Sequence, residues 1–234
     1  TDKGEIFLDI VKRWQYLIDD AKGLSDPGKE TFRMTATSSI SQVFLPGICR
    51  KLYTSHPSLN LSIDSHHTRS STELVSNNHY DLAFCSFIIP NQKVIGKALF
   101  KEELVIICSV EMAKKYPDPR KMVPEKRMFI SWDTDSFVWE HFESGSADGL
   151  TLTSNTVDGI EYYLTEMDMW TLVPVSYAEY IARIFGLSVI PMKEHLQYRT
   201  TYSLQAAHNS NPLIEEAIEI MRDEAKKYDG IELI

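Results

Sequence analysis

The chain has 234 residues, a net charge of −9 and 43% hydrophobic residues. This length suits one large core or two smaller lobes, and the hydrophobic fraction is ordinary for a folded globular protein. The negative charge argues against this stretch binding nucleic acid by itself, because DNA-binding surfaces are usually basic. No apolar run approaches the roughly 20 residues that span a bilayer, so we expect no membrane partner.

The first predicted element is an amphipathic helix within residues 1–27. Six of its apolar residues follow the alternating spacing of three and four that is typical of coiled coils. They are Phe7, Ile10, Trp14, Leu17, Ala21 and Leu24. We interpret this stripe as half of a dimer seam, in a homodimer or a homotetramer. The alternative is a helix that packs against its own domain.

After residue 30 the pattern changes to alternating strands and helices. Strands are predicted at FRMTAT (32–37), LNLSID (59–64) and YDLAFCSF (80–87). The first intervening helix has Ser38 and Ser39 as N-cap residues, and Pro46 predicts an irregular start. Thr68 or Ser70 caps the second helix. This βαβαβ order predicts a parallel sheet with right-handed crossovers.

The second half of the chain repeats the alternation, which predicts an α/β protein with two lobes. Extended segments are predicted at 94–100, 103–109, 127–131, 150–153, 170–174, 187–192 and 200–207, and helices at 135–142, 156–166, 176–184 and 212–227.

The three cysteines lie far apart and form no CxxC pair or metal-ligand spacing. Cys85 and Cys108 each lie in an apolar, strand-like run, and we therefore predict buried, reduced thiols. Reduced thiols in turn suggest a cytoplasmic protein.

Five predicted strands end in polar stretches rich in serine and threonine. In an open α/β sheet, ligands bind at the carboxyl ends of strands, and a cleft between two lobes is the expected site. The stretches are Thr37–Ser39, Ser65–Thr68, Cys85–Phe87, Ser131–Thr134 and Ser154–Thr156. Helix capping would explain any one of them. Together they favour a small ligand that carries a carboxylate or another anionic group.

The motifs of common enzyme classes are not found: there is no GxSxG, P-loop, GxGxxG or HExxH sequence. His66 and His67 are adjacent and so point apart, which favours a turn over a metal site. Asp133 and Asp158 could act as acid and base, but no nucleophile lies near them in sequence. We therefore expect neither an enzyme nor a cofactor or bound metal.

The order of these segments resembles the LysR-type transcriptional regulators. The opening TDKGEIFLDIVKRW is similar to the junction at which a T-x-x-G ends the family's winged helix-turn-helix and the linker helix begins. The stretches FRMTATSSISQVFLPGICRKLYTSHPSLNLSID, HHTRSSTELV, YDLAFCSF and SNTVDGIEYYLTEMDMWTLVPVSYAEY follow in the family's order. The most specific part runs from Leu45-Pro46 through His56-Pro57 to Leu61.

The resemblance implies two Rossmann-like lobes of periplasmic-binding-protein type II architecture, preceded by the N-terminal linker helix. The implied division is a linker helix at 1–27, lobe I at 31–102 plus 203–234, and lobe II at 103–202. The crossings between lobes should fall near 101–103 and 196–202. DNA would be bound only by a winged helix-turn-helix domain that precedes this chain.

The family's effector site lies in the cleft between the lobes and is matched by position. The implied effector-binding residues are Ser38, Ser39, Ile40, Thr68, Ser86, Trp132, Asp133, Asn155, Thr156 and Val157. The function implied is a sensor that binds a small-molecule effector and so controls transcription.

Two positions depart from the family's pattern. Met167-Asp168-Met169 stands where many members have a glycine-containing turn, which puts that loop's geometry in question. Ser86 stands where some members have a basic residue that pairs with a carboxylate, and Arg69 is close enough in sequence to substitute for it.

Two other functions remain open from the sequence. A solute-binding protein shares the two-lobe architecture but needs export, and the leading coiled-coil helix speaks against it. An enzyme acting on small acids could use the same scaffold, because a fold alone does not determine function.

The seam hypothesis makes a direct prediction about Trp14. Its apolar stripe must be covered, so we expect a second copy of the chain to shield the indole ring. Sedimentation combined with fluorescence quenching, with Trp14→Phe to identify the signal, would measure this. A monomer whose Trp14 is fully exposed to solvent would contradict the seam.

Overall fold

The computed structural model describes residues 30–130, 152–192 and 197–234, together with positions 1, 3, 4, 7, 10, 11, 14 and 18. Its strands are β1 Thr31–Ala36, β2 Asn60–Ser65, β3 Leu82–Cys85, β4 Val94–Cys108, β5 Met128–Ile130, β6 Leu152–Ser154, β7 Trp170–Pro174, β8 Ser188–Ile190, β9 Tyr198–Ala206 and β10 Ile231–Leu233. Its α-helices after residue 30 are α1 Ser38–Val43, α2 Leu45–Ser55, α3 Thr68–Ser76, α4 Val110–Lys115, α5 Ile160–Thr165, α6 Val175–Phe185 and α7 Pro212–Ala225.

Strands β1, β2 and β3 form the parallel part of the main sheet, as the βαβαβ pattern predicts. β1 lies between the other two, with Thr31 opposite Asn60 and Met34 opposite Leu82. β9 then pairs antiparallel with β3, and β4 pairs antiparallel with β9. The sheet is therefore mixed, and the carboxyl ends of its three parallel strands meet at one edge.

The helix predicted after β1 is divided in two. α1 ends before Phe44, and α2 begins at Leu45 with Pro46 in its first turn. This confirms the irregularity predicted from Pro46, because proline fits a first helical turn but disrupts a helix interior.

The capping predictions for both helices of this region are wrong. Thr37 precedes α1 and His67 precedes α3, and neither side chain makes a capping hydrogen bond. Ser38, Ser39 and Thr68 lie inside the helices instead, so their hydroxyls are free of that role.

One long strand replaces the two extended segments predicted at 94–100 and 103–109. β4 runs from Val94 to Cys108, with a register irregularity between Ala98 and Phe100. Its first part pairs with β9, whereas its last part pairs with β7 and β8. The strand thus passes from one hydrophobic cluster to the other.

Two hydrophobic clusters form the main cores. We call the elements around the first cluster lobe I and those around the second lobe II. The first draws on β1, α1, α2, β3, β4 and α7, and includes Phe32, Phe44, Phe84, Phe100 and Met221. The second draws on β4, β5, α5, β7 and α6, and includes Val105, Met128, Leu164, Val173 and Ala178. The residue boundaries predicted for the lobes stay predictions.

Two loops next to lobe II elements contain residues in the left-handed backbone region. Gly159 has a φ of 73° immediately before α5, which begins at Ile160 rather than at the predicted Thr156. Asp168 has a φ of 52° in the turn before β7. Aspartate tolerates this region better than most residues, so it can occupy this turn.

Of the described positions before residue 30, all except Thr1 are helical, including residues 7, 10 and 14. Phe7, Ile10 and Trp14 are exposed, with 68% of Trp14 accessible to solvent. Leu17, Ala21 and Leu24 lie outside the described residues, as does the helix predicted at 135–142. The dimer seam stays a prediction, and these exposed side chains are part of the surface it requires.

Across the residues that the structure describes, no helix is both long and apolar enough to cross a membrane.

A buried ion pair joins β4 and β9. Glu102 of β4 lies opposite Arg199 of β9, and their side chains are 0% and 1% exposed. Arg199 donates to Glu102 over 2.5 Å and to the Ser39 hydroxyl of lobe I over 2.5 Å. The Ser176 hydroxyl of lobe II donates to the second Glu102 oxygen, also over 2.5 Å. One network thus connects α1 of lobe I with α6 of lobe II through β4 and β9.

Glu102→Gln should lower the free energy of unfolding by about 3–5 kcal/mol, because removing one partner of a buried pair leaves an uncompensated charge. Urea unfolding followed by circular dichroism measures this. Glu215→Gln is the matched control: it breaks an exposed pair with Lys97, so we expect a loss of no more than about 1 kcal/mol. Equal losses in both variants would contradict the structural role of the buried pair.

Candidate functional site

Backbone hydrogen bonds hold the carboxyl ends of the three parallel strands side by side. The amide of Thr37 donates to the carbonyl of Phe84 over 3.2 Å, and the amide of His66 donates to that of Ala36 over 3.1 Å. Thr37, at the start of α1, therefore lies between the polar segments that follow β2 and β3. The sheet edge predicted from the sequence is formed.

Two predicted effector residues at this edge are nearly buried. Thr68 is 3% exposed at the start of α3, and Ser86 is 6% exposed directly after β3. Between them lies Cys85, whose thiol contacts the Thr68 and Ser71 hydroxyls. Burial raises the pKa of the Cys85 thiol to about 12, although both hydroxyl contacts lower it in part. The thiol is therefore neutral near pH 7, and it packs in a small hydrophobic cluster with Val75 and Leu204.

Two further hydroxyls of this edge are buried without a hydrogen-bond partner among the described residues. They belong to Thr37 and Thr201. Thr201 lies on β9 and is 0% exposed. The β3–β9 pairing ends at Cys85 and Tyr202, and Thr201 is the next residue of β9, paired with Phe100 of β4. Buried polar groups normally have a partner, so this pair marks a place able to bind a polar ligand.

Ser39 and Ile40 point away from this edge. The Ser39 hydroxyl accepts the hydrogen bond from Arg199, and Ser39 is 2% exposed. Ile40 is fully buried in the first hydrophobic cluster. Both residues support the position of α1, and neither side chain is directed at the polar ends of β2 and β3.

Lobe II reaches the site through the loop before α5. Asp158 accepts hydrogen bonds from the Ser38 hydroxyl over 2.8 Å and from the Gln42 amide over 3.3 Å, both on α1. Its second oxygen accepts a hydrogen bond from the Thr156 hydroxyl over 2.7 Å. Ser38 of lobe I and Thr156 of lobe II, both predicted effector residues, thus donate to the same Asp158 carboxylate.

The other predicted lobe II residues differ in their surroundings. Asn155 is exposed, whereas Val157 is buried in the second hydrophobic cluster. The carbonyl of Val157 accepts a hydrogen bond from the Tyr177 hydroxyl over 3.3 Å. Trp132 and Asp133 lie outside the described residues.

The sequence patterns did not identify several residues of this site as ligand-binding residues. Gln42 and Thr201 lie within a helix and a strand, and no local pattern marks them. Asp158 was considered only as an acid or base. The one available signal was its position between a strand and a helix, directly after the Ser154–Thr156 stretch.

Histidine and cysteine do not assemble a metal site in the part of the chain that the structure describes. No group of three or more histidine, cysteine, aspartate or glutamate side chains is arranged to hold a metal ion there. His66 instead shares a hydrogen bond with the Thr35 hydroxyl over 3.1 Å and packs edge-on against Tyr80.

Comparison with known proteins assigns the family. Residues 25–226 match the model of the LysR substrate binding domain, so the chain belongs to this family. No curated protein matches the chain closely enough to add a relative.

Solved structures of LysR-family regulators share the fold. A reduced form of OxyR from N. meningitidis superimposes with a TM-score of 0.70 at 15% identity, over 87% of this chain and 99% of that one. CbnR, a LysR family transcriptional regulator, gives 0.75 at 13% identity, over 96% and 81%. The effector-binding domain of a BenM variant gives 0.68 at 16% identity, over 87% and 99%. The two-lobe, periplasmic-binding-protein-like architecture is therefore confirmed, and no enzyme family is indicated.

The thiols of this chain should react slowly in the folded state. Burial raises the pKa of Cys49 and of Cys108 to about 11, and that of Cys85 to about 12. Thiolates are the reactive species, so near pH 8 labelling with a disulfide reagent should be at least about 100-fold slower than in the urea-unfolded chain. A thiol in the folded protein that reacts as fast as in urea would contradict this and would indicate a redox-sensitive site.

Proposed function

We propose that this chain is the ligand-sensing domain of a LysR-type bacterial transcriptional regulator, with a small-molecule effector bound between its lobes. The observation that carries the proposal is the pair of buried hydroxyls without described partners, Thr37 and Thr201, at the edge of the sheet. In a periplasmic-binding-protein-like fold the ligand would bind in a cleft at this edge. Their burial suits a compact polar ligand that would satisfy both hydroxyls.

The ligand would contact the hydroxyls of lobe I and the loop before α5 of lobe II. Thr68 and Ser86 are the buried donors nearest the strand ends, and Ser38 and Thr156 meet across the lobes at Asp158. Asn155, Trp132 and Asp133 complete the proposed contact set. Ser39, Ile40 and Val157, which the family resemblance also implies, would act by holding the surrounding backbone in place.

Regulation would follow from a shift between two arrangements of the lobes. A ligand that binds one arrangement more tightly than another changes their populations. The Glu102–Arg199 network lies on both crossing strands, so it is positioned to transmit such a change. DNA would be bound by a winged helix-turn-helix domain joined to the N-terminal helix, in a homodimer or homotetramer in the cytoplasm.

A thermal-shift screen of bacterial metabolites, followed by calorimetry, tests this function. For a confirmed ligand, Thr68→Ala should weaken binding by about tenfold or more, because its loss leaves a polar ligand atom unpaired. Thr54→Ala is the matched control, since Thr54 is exposed on α2 and donates only to the Arg50 carbonyl. A ligand whose affinity is unchanged in Thr68→Ala and Ser86→Ala would contradict the proposed pocket.

A further inference from the structure

The carboxylate of Asp158 accepts hydrogen bonds from two side chains of α1 and from one side chain of its own loop. Ser38 donates to it over 2.8 Å, Gln42 over 3.3 Å and Thr156 over 2.7 Å. Gln42 also donates to the Ser38 hydroxyl over 3.2 Å, so the two α1 side chains act together. These contacts join lobe I to lobe II outside the buried Glu102–Arg199 network.

The negative charge of Asp158 is not neutralised by a cation in the described structure. All three partners are neutral, and none of the ion pairs formed by the described residues includes Asp158. Arg199 does not offset this charge either, because Glu102 already pairs with it. Among the described residues, Asp158 therefore carries a negative charge beside the neutral hydroxyls of Ser38 and Thr156.

We propose that Asp158 determines both the resting contact between the lobes and the class of effector, and this rests on the proposed function of the cleft. In the ligand-free chain Asp158 joins the lobes through Ser38 and Gln42. The effector presents a hydrogen-bond donor to Asp158, as a protonated amine or a hydroxyl group. A carboxylate at the same place would be repelled. This replaces the carboxylate-bearing effector predicted from the strand-end hydroxyls.

Hydrogen exchange of the ligand-free protein tests the contact between lobes. Asp158→Ala should speed exchange in peptides covering Ser38–Val43 by about tenfold, while peptides of β1 stay unchanged, since only the α1 contact is lost. Asp223→Ala is the control, because Asp223 is an exposed aspartate of α7 that pairs with Lys226. Equal exchange of α1 in wild type and Asp158→Ala would overturn the proposal.

Calorimetry with matched probes tests the ligand class. The probes are benzylamine, benzyl alcohol and benzoate, together with putrescine, 1,4-butanediol and succinate. We expect binding among the amines or alcohols, weakened about tenfold or more in Asp158→Asn and unchanged in Asp223→Asn. A carboxylate that binds wild type best and gains nothing in Asp158→Asn would overturn the ligand class.

The two measurements separate this proposal from the proposed function. One outcome is that exchange of α1 rises in Asp158→Ala but neither the probes nor a metabolite screen give a ligand. The proposed function is then overturned, and so is the ligand class. The exchange result then still establishes Asp158 as the contact between lobes. If a ligand binds through Thr68 and Ser86 and is indifferent to Asp158, the function stands and the ligand class is wrong.

Discussion

The buried pair of Glu102 and Arg199 is the interaction on which the arrangement of the lobes depends. Glu102 lies on β4, which passes from one hydrophobic cluster to the other, and Arg199 lies on the neighbouring strand β9. Glu102 also contacts Ser176 of lobe II, and Arg199 contacts Ser39 of lobe I. A buried charge must be paired. A shift in the register of either strand would therefore leave Glu102 or Arg199 without its partner. The relation between the lobes is thereby tied to the two crossing strands.

The position of the polar edge of the sheet depends on this arrangement of the strands. Thr37 and Ser86 follow the neighbouring strands β1 and β3, Thr68 begins the helix after β2, and Thr201 lies on β9. Asp158, in the loop before α5 of lobe II, accepts a hydrogen bond from the Ser38 hydroxyl of lobe I. A ligand at this edge would contact both lobes and a crossing strand, which is the arrangement that couples binding to a change between lobes.

Local patterns were enough to predict most of the strands and helices and the polar edge, although β10 and α4 were not predicted. Hydrophobic periodicity and strand-end residues are short-range signals, and they placed β1, β2, β3 and β7 within one or two residues, though β3 ends earlier than predicted. These short-range signals could not predict contacts between residues that are distant in sequence. The Ser38–Asp158 and Glu102–Arg199 bonds join positions 120 and 97 residues apart, and they depend on how the lobes pack.

For the predicted effector residues too, sequence patterns could not determine which groups each side chain contacts. Ser38, Ser39 and Ile40 are adjacent, but successive residues of a helix point about 100° apart. Ser38 therefore faces Asp158, Ser39 faces Arg199, and Ile40 enters the core. A sequence match by position cannot distinguish among the three, whereas the packing of α1 does.

A two-dimensional NMR titration of the isotope-labelled protein with the small-molecule fraction of a bacterial extract tests the central claim most directly. The account predicts shifts in the amide signals of Thr37, Thr68, Ser86, Thr201 and residues 154–158, with the rest of the sheet little changed. Shifts confined to other surfaces, or a ligand bound with none of these signals affected, would contradict a binding site between the lobes.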